Sequence, residues 1–465
     1  MQERAGILAN TSDPCEIDMT QAEAAEAPPH PSFYEAFLWW LKLGFISFGG
    51  PAGQIAIMHQ EMVEKRRWIS ERRFLHALNY CMVLPGPEAQ QLAIYIGWLL
   101  HRTWGGIVAG ALFVLPSLFI LAILTWIYLA WGDVPLVQGI FAGIKPAVVA
   151  IVLFAAWRIG SRALRNGVMW GIAALSFVAI FVFRVPFPFI VLGAALLGMA
   201  GGKWLPAKFA VGGGHGADGK SWGASVIDDG TRLPHTLYNT AHLAKLLGVG
   251  LALWAAAMWL LPAGTLSDIG LFFSKAAMVT FGGAYAVLPY VYQGGVDTYG
   301  WLTGAQMIDG LALGESTPGP LIMIVAFVGF VGAWTHQIFG SESLFLAGLV
   351  GASVATFFTF LPSFLFILAG GPLVESTHGD LKFTAPLSAI TAAVVGVILN
   401  LALFFAWHVL WPRASMEAPF AGGFEWFPAV VAVAAFIALW KFKQDILRVL
   451  AVCALLGLGW TLLAG

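Results

Sequence analysis

The sequence predicts an all-α polytopic membrane protein built from two inverted-topology repeats, and three observations carry that expectation. Hydrophobic residues make up 59% of the 465, while charged residues make up only 11%, against roughly 25% in soluble domains. The stretch from Lys42 to Pro87 occurs twice: K-L-G-F-I-S-F-G-G-P with W-I-S and L-P-G-P returns at Lys275 as K-A-A-M-V-T-F-G-G-A with W-L-T and T-P-G-P. Every matched pair lies 233 positions apart without a gap, and an internal repeat constrains architecture before any local reading does. Finally, the loop inside the first copy carries Lys65, Arg66, Arg67, Arg72 and Arg73, whereas the matching loop D-T-Y-G-W-L-T-G-A-Q has no basic residue.

In chain order, residues 1–32 are acidic and polar and lack the basic start and apolar run of a signal peptide. They are expected to form a disordered cytoplasmic tail. The N-terminal membrane repeat, 33–200, opens with Phe33–Phe48, a break at F-G-G-P, and a second piece from Ala52 to Val63. Arg73–Leu84 likewise breaks at P-G-P before Glu88–Leu100. Each piece is too short to cross a bilayer, which takes about 20 residues, so the two are read as re-entrant hairpins. Four spans follow at Gly105–Trp131, Pro135–Arg158, Asn166–Phe183 and Pro186–Ala200. The Gly-rich, charged segment 201–243 reads as a cytoplasmic linker, and 244–262 as a connecting transmembrane helix.

The C-terminal repeat, 263–465, replays the hairpins and then spans near Ser343–Ala369, Phe383–Trp411, Phe427–Trp440 and Ile446–Leu463. There Leu115-Pro116-Ser117 matches Leu361-Pro362-Ser363 at an offset of 246, which places an insertion near Thr335–Ser343. With the basic loop in the cytoplasm, four spans return the chain inside and the connecting helix carries it out. The second copy is then upside down, with Lys441, Lys443 and Arg448 inside.

Short hydrophobic segments interrupted by Gly and Pro at corresponding places in two halves point to a transporter's binding site. Half-helices starting at Ala52, Glu88, Ala284 and Leu321 would each present free N–H groups and a partial positive charge, an anion site. The candidate substrate-binding residues are Lys42, Ser47, Phe48, Gly49, Gly50, Gln54, Asn79, Pro85, Gly86, Pro87, Gln91 and Lys145 in the first half. In the second they are Lys275, Thr280, Gly282, Gly283, Thr317, Pro318, Gly319 and Pro320. Each has a plainer reading beside it. Gly and Pro are common kinks in membrane helices, the lysines can snorkel to an interface, and the polar side chains can bond between helices. Glu88 and Glu315 flank the P-G-P turns and are candidates for proton coupling, although an acid in a first helical turn also complements the helix dipole.

No nucleophile elbow, catalytic triad, nucleotide loop or metal-ligand spacing occurs, and Cys15, Cys81 and Cys453 are too scattered for a disulfide framework. The chain is therefore expected to be no enzyme and to need no cofactor or metal, and no basic patch of nucleic-acid type is present.

At F-I-S-F-G-G-P (Phe45), L-P-G-P-E-A-Q-Q-L-A-I-Y-I-G (Leu84), V-T-F-G-G-A-Y-A-V-L-P (Val279) and E-S-T-P-G-P-L-I-M (Glu315), the sequence resembles the chromate ion transporter family in its long, two-domain bacterial form. One departure stands at Ala326, where many members carry Gln. The resemblance implies a multi-pass protein of the bacterial inner membrane that exports chromate and confers chromate resistance, with sulfate as a competing anion. The expected partners are that anion, the lipid bilayer and a second copy of the chain as a homodimer. The alternatives are transport of another oxyanion such as sulfate, or an oxyanion sensor without flux.

Overall fold

The computed structural model describes residues 27–48, 50–209, 222–231, 233–281, 283–376, 384–414 and 418–464. Among these, the secondary structure is helical apart from one isolated parallel bridge, Ile69 to Ile227. The tail before residue 27 and residues 210–221 of the linker lie outside the described residues.

The first half begins with α1 (Phe33–Ile46), α2 (Gly50–His59) and α3 (Glu71–Val83). Ser32 and Ser70 cap α1 and α3 by accepting from the N–H groups of Glu35 and Arg73, each cap contributing about 1 kcal/mol. α2 ends in a π-helical turn, Gln60–Lys65. α4 (Glu88–Trp131) reverses direction at His101 and Arg102, where Arg102 takes φ +56°. Its two arms then lie antiparallel, with Gly97 and Gly105 so close that a Cβ on either would run into the other's carbonyl. Phe33, at the start of α1, stacks edge-on against His101, and Arg66 at the end of the α2 turn pairs with Glu35 at 2.8 Å. α5 (Pro135–Ala163), α6 (Gly167–Phe181), α7 (Phe187–Trp204) and the single turn α8 (Pro206–Phe209) complete the half.

α9 (Thr240–Leu260) connects the halves. The second half then repeats the first as α10 (Thr265–Val279), α11 (Ala284–Tyr292), α12 (Gly304–Ser316), α13 (Ile324–Thr335), α14 (Leu344–Ser376), α15 (Thr384–Leu410), α16 (Trp426–Trp440) and α17 (Ile446–Ala464). The inserted residues fall between α13 and α14, where the first half has only the tight turn at His101–Arg102. Among the described residues, seven helices are long and apolar enough to cross a membrane, and α6, α13 and α16 are shorter apolar helices.

The repeat holds at the level of single hydrogen bonds. α11 ends in its own π-helical turn, Gln293–Thr298. The N–H of Trp68 donates to Met62 O at 2.7 Å, and that of Trp301 to Gly295 O at 2.8 Å. Arg67 and Gly300, equivalent residues, take φ +50° and +60°. The halves also exchange helices: α6 and α7 pack on α15, while α16 and α17 pack on α5. One continuous core of buried side chains joins both halves.

Candidate functional site

The four breaks meet in two pairs, each made between the halves. Gly86, in the first P-G-P, donates its N–H to Thr280 O at 2.7 Å, and Gly319, in the second, donates to Ser47 O at 2.8 Å. Ser47 and Thr280 are repeat equivalents, as are Gly86 and Gly319, so each half closes the break of the other. Gly86 and Gly319 take φ +120° and +111°, backbone that favours glycine. A Cβ on Gly86 would meet Ser363 and Gln91, and one on Gly319 would meet Ser117. Ser117 and Ser363, the repeated L-P-S serines, thus sit under the opposite half's turn.

The side chains here are buried and polar. Ser47, Gln54, Gln91 and Thr280 have no exposed surface, and Thr317 retains only 5%. The Ser47 and Thr280 hydroxyls donate back to Leu43 O and Ala276 O, each at 2.6 Å. Gln54 Nε2 donates to Gly319 O at 2.6 Å, and Gln91 Nε2 to Pro85 O at 2.8 Å. Gln90, with both amide atoms buried, and Ser117 Oγ have no hydrogen-bond partner, and buried polar groups left open in this way call for an explanation. Phe48, Gly50, Gly314, Glu315, Thr317, Gly319 and Leu321 line a cavity of about 10 Å³, room for about one water. Tyr285 donates to Glu315 Oε1 at 2.5 Å.

Pro85, Pro87, Pro318 and Pro320 bound the two turns, Gly283 caps α11, and Glu88 starts α4 half-buried. Other predicted residues lie elsewhere. Lys42 and Lys275 are exposed on α1 and α10, with Lys42 5.9 Å from the Trp39 ring, and Asn79 is exposed on α3. Lys145 pairs instead with Asp309, Nζ to Oδ2 at 3.4 Å. Gly49 and Gly282 lie outside the described residues. No cluster among the described residues could hold a metal, and Cys81 and Cys453 are buried thiols.

Sequence reasoning passed over Asp309, Tyr128, Tyr285 and Glu375, and took Ser117 only as an alignment marker. Asp309 carried a signal: it is an ionisable residue in the apolar run M-I-D-G-L-A-L, as Lys145 is in G-I-K-P-A-V-V-A.

Sequence comparison matches residues 34–199 and 267–458 to the family described as Chromate transporter. The chain belongs to the chromate transporter family. It is 31% identical over 449 residues to a chromate transport protein of Pseudomonas aeruginosa, covering 94% of this chain and 95% of that one. Identity to a chromate transport protein of Cupriavidus metallidurans is 29%, over 95% and 96% of the two chains. A shorter relative, the uncharacterized transporter YwrA of Bacillus subtilis, matches 35% of this chain over 93% of its own length at 26% identity. No solved structure matches. Membership in the chromate transporter family agrees with the multi-pass helical architecture and makes this a member of a transport family.

Proposed function

We propose that this protein is a secondary transporter that exports chromate across the bacterial inner membrane and so confers chromate resistance. The observation that carries the reading is the reciprocal pair of bonds, Gly86 to Thr280 and Gly319 to Ser47, which joins four half-helix ends two by two across the boundary between the halves. Backbone N–H groups at such ends recognise an oxyanion without a formal countercharge. The Gln90 amide and the Ser117 hydroxyl supply open donors nearby. A cavity of about 10 Å³ is too small for a tetrahedral oxyanion, so the halves must part to load it.

An inverted arrangement of the repeats gives that movement two faces. The contacts along α4 and α14 support it. α4 turns at His101, beside the start of α1, and ends with Trp126 against Phe345 at the start of α14. α14 in turn ends with Glu375 bonded to Arg73 at the first tip. Each long helix thus leads from one half's tip to the other's. The basic residues of the first tip favour the cytoplasm. Efflux is the direction that potential favours, because one charge moved through 100 mV is worth about 2.3 kcal/mol and a dianion about twice that. Glu88 and Glu315, beside the two turns, are the acids proposed to carry a coupled proton.

Purified protein in vesicles should move chromate outward under an imposed potential, with sulfate competing. No chromate flux, or sulfate flux that chromate leaves untouched, would reject the assignment. Glu88→Gln should remove the effect of a pH gradient on the rate.

A further inference from the structure

Away from the crossing, two buried acid–base–tyrosine clusters tie one half to the other. In the first, Glu375 on α14 accepts from Arg73 Nη2 at 2.7 Å and from Tyr95 Oη at 2.5 Å, one bond to each carboxylate oxygen. Arg73 Nη1 also donates to the carbonyls of Asp228 and Thr231 in the linker. In the second, Asp309 on α12 is 3% exposed and accepts at Oδ2 from Tyr128 Oη at 2.8 Å and from Lys145 Nζ at 3.4 Å. Its other oxygen, Oδ1, is buried with no partner.

We propose that Asp309 is a proton-binding site, and that its protonation frees Lys145 and releases the second-half end of the crossing. The proton adds to the open Oδ1, Lys145 keeps its own proton, and the Tyr128 hydroxyl remains as the one bond. What is lost is the ion pair between α12 of one half and α5 of the other. Lys145 can leave, because its side chain is 34% exposed. The other cluster lacks the open oxygen that this step needs, because both Glu375 oxygens are already bonded.

The groups facing Asp309 are few. α5 brings Lys145 and α4 brings Tyr128. α13 has no charged or titratable residue, α15 has none before His408, and α17 brings Arg448 and Cys453, neither bonded to Asp309. The site that would sense acid is therefore one carboxylate, on the face opposite the basic tip. That side assignment rests on the inverted reading above.

The test measures access to the crossing and not flux. Thr317→Cys, in a chain whose own three cysteines are replaced, is exposed in oriented vesicles to a permanently charged methanethiosulfonate reagent on the second-tip side. Comparing each variant with its parent at one pH cancels the change in thiol reactivity. At about pH 8, Asp309→Asn should label ~5-fold faster than the parent, and at about pH 5 the two should match, since a lost tie of 1 kcal/mol is a factor of about 5. Lys145→Met should behave alike and serves if Asp309→Asn does not fold. Glu88→Gln placed in the parent should leave the ratio unchanged, which separates this site from a carrier at the crossing. A ratio of one at both pH values, or an equal excess at both, would overturn the proposal. Chromate flux in the same vesicles reports separately on the transport reading.

Discussion

The two hairpin tips have one backbone and two chemistries. From Glu61 to Ser70 and from Gly294 to Thr303, each half makes the same π-helical turn, the same left-handed residue and the same polar cap on the next helix. The first tip is charged: Arg66 bridges Glu35 and Glu61, His59 lies between Glu64 and Glu71, and the linker lays Val226 and Ile227 against Arg67 and Trp68. The second is aromatic: Tyr299 stacks on Trp301 at 4.5 Å, and Phe272 and Phe273 close around them. Turn geometry depends on backbone and a few glycine or capping positions, so a repeat preserves it. The remaining side chains answer to local surroundings, and there the copies diverge.

That contrast can be broken at several points. The largest difference is expected at Arg73 and its equivalent Gln306. Arg73→Ala strands the buried Glu375 carboxylate and should cost about 3–5 kcal/mol. Gln306→Ala removes only the bond that its Oε1 accepts from the Thr303 N–H, leaves the Thr303 side-chain cap in place, and should cost about 1 kcal/mol or less. Denaturation followed by tryptophan fluorescence reads both, and equal losses would mean that the Arg73 tie is idle. Replacing Arg73 and Glu375 together by Met should recover most of the loss.

At the crossing the copies are equivalent, so Gly86→Ala and Gly319→Ala should each cost about 1–3 kcal/mol through strain at positive φ, with the serine contact added. Gly50→Ala, at φ +70° with nothing nearby, should cost less. Unequal losses at Gly86 and Gly319 would show that one half dominates the closure. Lys42→Ala is expected to do least. An exposed lysine acts through a screened field, so the KM for chromate should rise several-fold at low salt and little at high salt, with unfolding unchanged. An unchanged KM at low salt would leave Lys42 as a snorkelling residue alone.

The helices were legible because length and apolarity suffice to mark a span. The breaks were legible because F-G-G-P and P-G-P recur at a fixed offset. Their meeting was not, since Gly86 bonding Thr280 is a long-range fact that no spacing encodes. The same holds for Asp309: its partners Lys145 and Tyr128 come from α5 and α4, and their repeat equivalents, Thr391 and Val374, carry no charge. Symmetry found the crossing and hid the ion pairs, which exist only where the halves differ. The lysines show the opposite bias. Lys42 and Lys275 drew attention by their symmetry, yet both point outward from short helices.

The glycine bonds at the crossing are made wholly of backbone, and each donor has its acceptor in the other half. A single half would leave its turn N–H and its break carbonyl without these partners, and unpaired backbone groups are costly once buried away from water. The joined chain supplies each half with its complement in a fixed one-to-one ratio. It thereby leaves the two copies free to drift apart in sequence, provided that they keep fitting each other.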